Sequence, residues 1–242
     1  SNPWANVGSL ENKGIELTLN TVNIDKKGFQ WRSNFVFSLN RNKVLELDTE
    51  SASIEKTYSV GSENSVVTRT VVGQPIGQFW GYKVIGRFDK AEDFYYKDKE
   101  GNVKPVALPA GSSIEEGKTW IGDYIFADLN NDGVIDNNDC TFIGNPEPKF
   151  TYGIGNTFSW KGFDLTIFLS GSYGNDVLNY NRRYIENPRV NSNLLKSAAN
   201  YAVLERINPD GPDDFRNLRV ANTSTTLPRI SASTTNANNR VS

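Results

Sequence analysis

The 242-residue sequence contains no histidine and no methionine, and its only cysteine is Cys140. The absence of histidine excludes Ser-His-Asp triads, Cys–His dyads and histidine-based zinc or iron sites within this chain. A single cysteine cannot form an intrachain disulfide, and we expect Cys140 to be buried as a small apolar side chain. Since no other set of catalytic residues stands out, we predict that the chain is not an enzyme, and we assign no catalytic residue.

Basic charge and long apolar runs are also scarce. The formal net charge is −2 and the sequence pI is about 5.4, so the chain lacks a basic field that would attract nucleic acid. No apolar stretch approaches the roughly 20 residues of a membrane-spanning helix. Because there is no methionine and no leader before Pro3, we expect an interior piece of a longer protein.

Acidic residues are concentrated in segment 121–148, which contains no lysine or arginine. Within it, residues 128–139 place oxygen-bearing side chains at loop positions 1, 3, 5, 9 and 12, with Gly133 at position 6 and Ile135, expected to point inward, at position 8. This spacing is that of calcium-binding loops. We therefore predict one structural calcium ion, held by Asp128, Asn130, Asp132, the carbonyl oxygen of Val134, Asp136 and Asp139. The alternative is a solvated turn rich in Asp and Asn.

Four segments alternate large apolar residues with small or polar ones, near 14–22, 29–40, 150–160 and 163–173. This alternation predicts β-strands, and roughly 9–11 residues suit a strand that crosses a membrane at a tilt. A soluble β-sandwich carries the same alternation and is the more common structure on pattern alone.

The lengths of the connections favour a membrane barrel. Short polar turns, around 23–28 and at Lys161-Gly162, join the strands of each pair, whereas residues 41–149 and 174–242 form long excursions. Short periplasmic turns and long extracellular loops are typical of outer-membrane barrels. We therefore predict an all-β fold, an antiparallel transmembrane β-barrel segment of two hairpins with long extracellular loops. In the second excursion, the apolar stripe from Ser192 to Ile207 predicts one short helix.

The two faces of the predicted sheet differ in polarity. We expect the apolar face to meet lipid; it includes Phe35, Phe37, Ile154, Leu165 and Ile167. We expect the opposite face to line the lumen or a plug; it includes Thr151, Gly153, Gly155 and Thr157. In the first excursion, Trp80 and Tyr82 could stack on a substrate sugar or contact a partner, although packing within the loop is the commoner role of such rings.

Several motifs follow one another in order along residues 6–181. They are segments 6–17, 27–31 and 35–44, Gly73-Gln74-Pro75-Ile76-Gly77, Trp80-Gly81-Tyr82, the loop 128–139, and segments 143–153, 160–165 and 171–176. Together they resemble the SusC/RagA family of TonB-dependent outer-membrane transporters. The resemblance implies a late segment of a plugged barrel of roughly twenty-two strands.

The same resemblance implies a function. Members of this family import oligosaccharides or peptides across the outer membrane of Bacteroidetes-type bacteria, with TonB energy and a SusD-like lipoprotein lid. We therefore expect the partners to be that lipoprotein, TonB through a region outside this chain, outer-membrane lipid, and a glycan or peptide substrate. The alternative hypothesis is a protein of a different class, namely a secreted, calcium-stabilised β module for binding or adhesion. Flanking sequence with further alternating strands and a plug would distinguish the two.

Overall fold

The computed structural model describes residues 8–47, 53–60, 63–179, 181–186 and 193–231. The chain divides into two compact units. The first contains Ser1–Gly81 and Phe142–Val177, and the second contains Tyr82–Thr141 and Leu178–Ser242. Among the described residues, no helix is long and apolar enough to cross a membrane.

Most regular structure in both units is β-strand, as predicted. In chain order the strands are β1 Gly8–Lys26, β2 Phe29–Leu47, β3 Ser53–Val60, β4 Glu63–Val71, β5 Gln78–Tyr82, β6 Val84–Arg87, β7 Tyr95–Lys97, β8 Val103–Pro105, β9 Leu108–Pro109, β10 Tyr124–Phe126, β11 Val134–Ile135, β12 Cys140–Gly144, β13 Phe150–Trp160, β14 Phe163–Tyr173, β15 Leu204–Arg206 and β16 Leu218–Val220. One four-residue helix, α1, spans Arg182–Ile185. The long excursions therefore contain short strands of their own.

The first unit is built on an antiparallel sheet with the order β1-β2-β13-β14. The β13–β14 hairpin has the predicted bounds, whereas β1 and β2 continue past the apolar alternation, so that Gly8 lies opposite Leu47. Polar side chains do not prevent this extension, because the ladder is made by backbone groups. The strands β2 and β13 pair directly, with Phe35 opposite Ile154, although more than a hundred residues separate them in sequence.

Two-residue turns close both hairpins at the same end of this sheet. In the β13–β14 turn, Lys161 has φ 48° and Gly162 has φ 86°. Positive φ at both central residues matches the right-handed twist of the flanking strands. The β1–β2 turn is Lys27-Gly28, where Gly28 has φ 89°, and it is shorter than predicted because β1 continues to Lys26.

Residues directly opposite one another share a face, so the register defines two faces of the sheet. The apolar face carries Ile15, Leu17, Leu19, Trp31, Phe35, Phe37, Tyr152, Ile154, Phe158, Trp160, Phe163, Leu165, Ile167 and Leu169. The polar face carries Thr18, Asn20, Asn34, Ser38, Thr151, Thr157, Ser159, Thr166 and Ser170. Phe168 is the large exception on the polar face; a side chain added at Gly153 would meet its ring at 3.4 Å.

The second unit has a small core of its own. Phe88 and Phe94 are stacked with centroids 4.0 Å apart, and they pack with Ile121, Ala202 and Val220. The described strands of this unit form two-stranded sheets: β6 with β10, β7 with β8, β9 with β11, and β15 with β16. Side chains of β9, β10, β15 and β16 pack against the cluster.

The predicted helix from Ser192 to Ile207 is wrong. Ser192 lies outside the described residues, Lys196–Ala199 forms a single 3₁₀ turn, and Leu204–Arg206 is β15. The backbone of this segment bonds to distant partners, with Leu204 opposite Val220 and the Ala202 amide donating to the Pro228 carbonyl at 3.2 Å. Tertiary pairing therefore overrides an apolar spacing that is helical only in pattern.

Candidate functional site

The predicted calcium loop lies in the second unit, between β10 and β12. Its middle, β11, pairs in parallel with β9, with Val134 opposite Leu108. Ile135 is buried, as its position in the loop predicted. The loop is thus anchored at its centre by two backbone pairs and one apolar side chain.

Side-chain oxygens in the first half of the loop accept bonds from the loop's own backbone. The Gly133 amide donates to Asp128 Oδ2 at 2.9 Å, and the Val134 amide donates to Asp132 Oδ1 at 2.9 Å. Asn131 with φ 59° and Gly133 with φ 85° bend the chain into this tight coil. Asn and Gly adopt the left-handed region at lower cost than other residues.

Asp128 has a buried oxygen without a hydrogen-bond partner. Its Oδ1 is inaccessible to solvent and has no donor among the described residues, whereas its Oδ2 is bonded to Gly133. A buried polar atom of this kind costs free energy unless something satisfies it. A cation at this oxygen would do so, and this atom fits the predicted ligand at position 1.

The second half of the loop is organised by Asp139, which is fully buried. Its two oxygens accept bonds from the amides of Leu129 and Asp136, each at 2.8 Å. The Asp136 amide, followed by further backbone donors, holds the pKa of the Asp139 carboxyl below its ordinary value despite its burial. Asp139 therefore remains ionised and ties position 12 back to positions 2 and 9.

The six predicted ligands lie in one loop but do not form a convergent group of charged side chains. In the described part of the chain, no three His, Cys, Asp or Glu residues are arranged to hold a metal ion. Asn130 and Asp132 bond to each other, with Asn130 Nδ2 donating to Asp132 Oδ2 at 2.7 Å, and Asp136 caps the following 3₁₀ turn by accepting from the Asn138 amide at 2.7 Å. Calcium would be held here by a mixed set of carboxylate, amide and carbonyl oxygens.

Tyr82 contacts this loop from β5. Its hydroxyl donates to Asn137 Oδ1 at 3.4 Å, and its ring packs against Phe126 with centroids 5.5 Å apart. Burial, followed by the interaction with Cys140, raises the pKa of Tyr82 to about 12. Cys140 itself is half-buried rather than fully buried, and it lies at the start of β12 beside this hydroxyl.

Trp80 lies in the first unit, within an aromatic and cationic cluster. The Arg69 guanidinium stands over its ring at 4.5 Å from the centroid, and Phe142 meets it edge-on at 5.0 Å. One face of the indole is therefore occupied by Arg69. The rings of Trp80 and Tyr82 both pack against neighbouring side chains. A ligand that contacts either residue would therefore meet a ring that is already partly covered.

A polar row that the sequence patterns did not predict crosses the apolar face of the large sheet. Asn156 Oδ1 accepts from Trp31 Nε1 at 3.0 Å and from Ser33 Oγ at 2.7 Å, and Asn23 Nδ2 donates to Ser33 Oγ at 2.5 Å. The sequence contained one indication of this row, because Asn156 is the one polar residue at an apolar position of β13. Its partners became visible only with the register of β1, β2 and β13.

The fold and the two-faced sheet define the class of this chain as a segment of an antiparallel β-barrel. No family model matches the sequence. The structure of the RagAB peptide transporter superimposes with a TM-score of 0.56 over 94% of this chain and 20% of that one, at 19% sequence identity. This match supports the barrel fold that the alternation and loop lengths predicted.

Curated relatives then identify the family. TonB-dependent receptors P26 and P3 of Formosa agariphila are 34% and 33% identical to this chain over 179 and 178 residues, which is 74% and 72% of the chain and 16% of each receptor. TonB-dependent receptor SusC of Bacteroides thetaiotaomicron is 25% identical over 176 residues, 71% of this chain and 15% of that receptor. The chain is thus homologous to a part of the TonB-dependent receptors, as the sequence resemblance predicted, and spans about 16% of their length. These relatives are receptors rather than enzymes, in agreement with the prediction that the chain is not an enzyme.

Proposed function

We propose that this chain forms part of the wall and extracellular loops of an outer-membrane importer in a Bacteroidetes-type bacterium. The observation that carries the proposal is the four-stranded sheet with one apolar and one polar face, closed by two-residue turns at one end. Most of its apolar side chains are exposed, Phe163 by 76% and Leu169 by 62%, while Trp31, Phe35 and Phe37 are half-buried. A large exposed apolar face is unfavourable in water and marks a surface that contacts protein or membrane. In a transmembrane barrel, lipid contacts the outward apolar face.

The polar face is suited to the inside of the same barrel. Thr151, Thr157 and Gly155 lie there, in alternation with lipid-facing Ile154. Among the described strands, β1 and β14 lie at the two edges of this sheet. They would pair with strands outside this chain, since an open edge leaves backbone donors and acceptors unsatisfied in lipid.

Cysteine labelling on one strand tests this orientation. In the whole receptor with Cys140→Ser, we expect Ile167→Cys to react with a lipid-soluble maleimide and its neighbour Thr166→Cys to react more readily with a water-soluble one. The two positions are adjacent on β14 and point to opposite faces, so each is the control for the other. The reverse pattern would show that the apolar face packs inside the protein.

The transported material in this proposal is an oligosaccharide or a peptide, moved with TonB energy. The matched structure is of a peptide transporter, and one matched receptor bears the name SusC. Growth of the source bacterium on defined oligosaccharides or peptides, with and without the intact receptor gene, identifies which of the two it imports. Import would be contradicted if the strain without the receptor gene grew as well as the parent on both oligosaccharides and peptides.

The excursions 41–149 and 174–242 would form the extracellular rim that meets a SusD-like lipoprotein. The chain leaves β2 at Leu47 and β14 at Tyr173, at the end of the sheet opposite both short turns. A photo-crosslinking residue at Tyr82 or Tyr96 should capture the lipoprotein, and one at Phe163 beside a short turn should not. Capture of periplasmic proteins from Tyr82 or Tyr96 would mean that the barrel is inverted.

Within this rim, the loop 128–139 would bind one structural calcium ion through the six predicted ligands. The buried Oδ1 of Asp128 supports this proposal, as does a loop already coiled by its own hydrogen bonds. The ion would neutralise an acidic segment and hold a part of the rim that has little apolar core. The calcium is structural in this proposal and takes no part in transport chemistry.

A further inference from the structure

The short-turn end of the large sheet separates its charges between the two faces. Lys26 lies opposite Phe29, which lies opposite Trp160, which lies opposite Phe163, so that all four share the apolar face. One residue further along each strand, Asp25 and Asp164 lie on the polar face with Gln30 and Ser159. In these two rows nearest the turns, the positive charge lies on the apolar face and the negative charges lie on the polar face; Arg32 is on the polar face two rows further in.

A second lysine reinforces the positive border of the apolar face. The Lys161 ammonium stands 5.3 Å from the centroid of the Trp160 ring, so the turn directs its charge toward the apolar face. The positive φ of Lys161 belongs to the two-residue turn that carries this side chain. Asp25 accepts from Gln30 Nε2 at 3.0 Å on the other face and is not the partner of Lys26.

With the apolar face placed against lipid, as proposed, the polar row of Asn156 would lie near the depth at which a lipid changes from ester to hydrocarbon. Asn156 precedes Trp160 by four residues, about 13 Å along the strand and roughly 9 Å along the membrane normal at a tilt of about 45°. The polar zone on each side of a bilayer is about 5–7 Å thick. With the lysines placed at its outer boundary, Asn156, Ser33 and the Trp31 N–H would lie close to its inner boundary.

We propose that this border, made of Lys26, Lys161, Trp160 and the polar row of Asn156, binds the phosphate-containing head of an anionic phospholipid in the inner leaflet. The two ammonium groups would meet the phosphate, while the polar row would meet the glycerol and ester oxygens. Positive charge near an anionic leaflet and aromatic rings at its level both favour this occupant. The inference rests on the proposed function, because it requires the apolar face to meet lipid.

Fluorescence quenching in nanodiscs tests the proposal. The probes are brominated phosphatidylglycerol and brominated phosphatidylcholine, and the signal is the difference between the intact receptor and its Trp160→Phe variant. We expect phosphatidylglycerol to quench Trp160 in preference to phosphatidylcholine. The Lys26→Gln/Lys161→Gln variant should lose about fivefold in this preference for each lysine.

The matched control is Lys13→Gln/Lys43→Gln, which removes two lysines at the opposite end of the same β1–β2 hairpin. This variant should keep the full preference for phosphatidylglycerol. Equal quenching by both lipids would overturn the lipid preference and leave the orientation of the face intact. Absence of quenching by either lipid would overturn the orientation as well, so the two failures are distinguishable.

Discussion

Replacing Arg229 by methionine should destabilise the second unit by about 3–5 kcal/mol, because it removes one partner of a buried ion pair. Arg229 Nε donates to Asp123 Oδ1 at 3.0 Å and Arg229 Nη2 donates to Asp123 Oδ2 at 3.1 Å. The same Nη2 reaches the carbonyl oxygens of Glu116 and Lys118 at 2.9 and 3.2 Å. One guanidinium thus links a carboxylate and two carbonyls across more than a hundred residues of sequence.

The size of the effect comes from burial rather than from the ion pair itself. Both side chains are almost fully buried, at 6% and 9% exposure, so water cannot replace the lost bonds. Methionine keeps most of the apolar stem, which leaves the loss of charge and hydrogen bonds as the main change. Asp123 would lose its two bonds to the guanidinium and keep the bond from the Trp120 amide at 2.9 Å.

Hydrogen exchange of the whole receptor measures this change by peptide. Backbone amides within Tyr82–Thr141 and 193–231 should exchange at least about a hundredfold faster in Arg229→Met, whereas those of β13 and β14 should be unchanged. Removing both charges with Arg229→Met/Asp123→Leu should recover part of the loss, because no uncompensated charge then stays buried.

The matched control is Arg216→Met. Arg216 also makes two bonds to an aspartate, Asp214, at 3.0 and 2.6 Å, but its side chain is 73% exposed. Water replaces such bonds at little cost, so exchange should not change. Equal acceleration in Arg229→Met and Arg216→Met would refute the argument that burial determines the effect.

Calorimetric titration of the receptor should show one calcium site fewer in the Asp128→Ala/Asp132→Ala variant than in the parent. The control Asp98→Ala, which removes an acidic residue from another loop, should lose no site. Equal calcium uptake by the parent and both variants would show that loop 128–139 is only an acidic turn. Gly162→Ala should lower the stability of the barrel to thermal unfolding by about 1–2 kcal/mol, because φ of 86° strains any residue with a Cβ, and an unchanged unfolding temperature would contradict this. The titration of Tyr82, measured as the difference in phenolate absorbance between the parent and Tyr82→Phe, should have its midpoint near pH 12, because burial disfavours the charged form. A midpoint near pH 10 would show that the hydroxyl is solvated.

Short-range features of this chain could be predicted from its residues. The β13–β14 hairpin has its predicted bounds because alternation, Lys161-Gly162 and the pairing partners all lie within two dozen residues. The coil of loop 128–139 is likewise made by bonds among its own twelve residues, and Ile135 turns inward as expected. Local patterns suffice where the interacting groups are close in sequence.

Tertiary structure decided the features that depend on distant partners. The pairing of β2 with β13, the bonds from Trp31 and Ser33 to Asn156, and the Arg229–Asp123 pair each join residues separated by more than a hundred positions. The segment after Ser192 became a turn and a strand because β16 and Pro228 supply its backbone partners. Alternation by itself determined that the sheet has two unlike faces. Only the register across strands placed Lys26 in the same row and on the same face as Trp160, and Asn156 within hydrogen-bonding distance of Trp31. A shift of one residue would send each side chain to the opposite face.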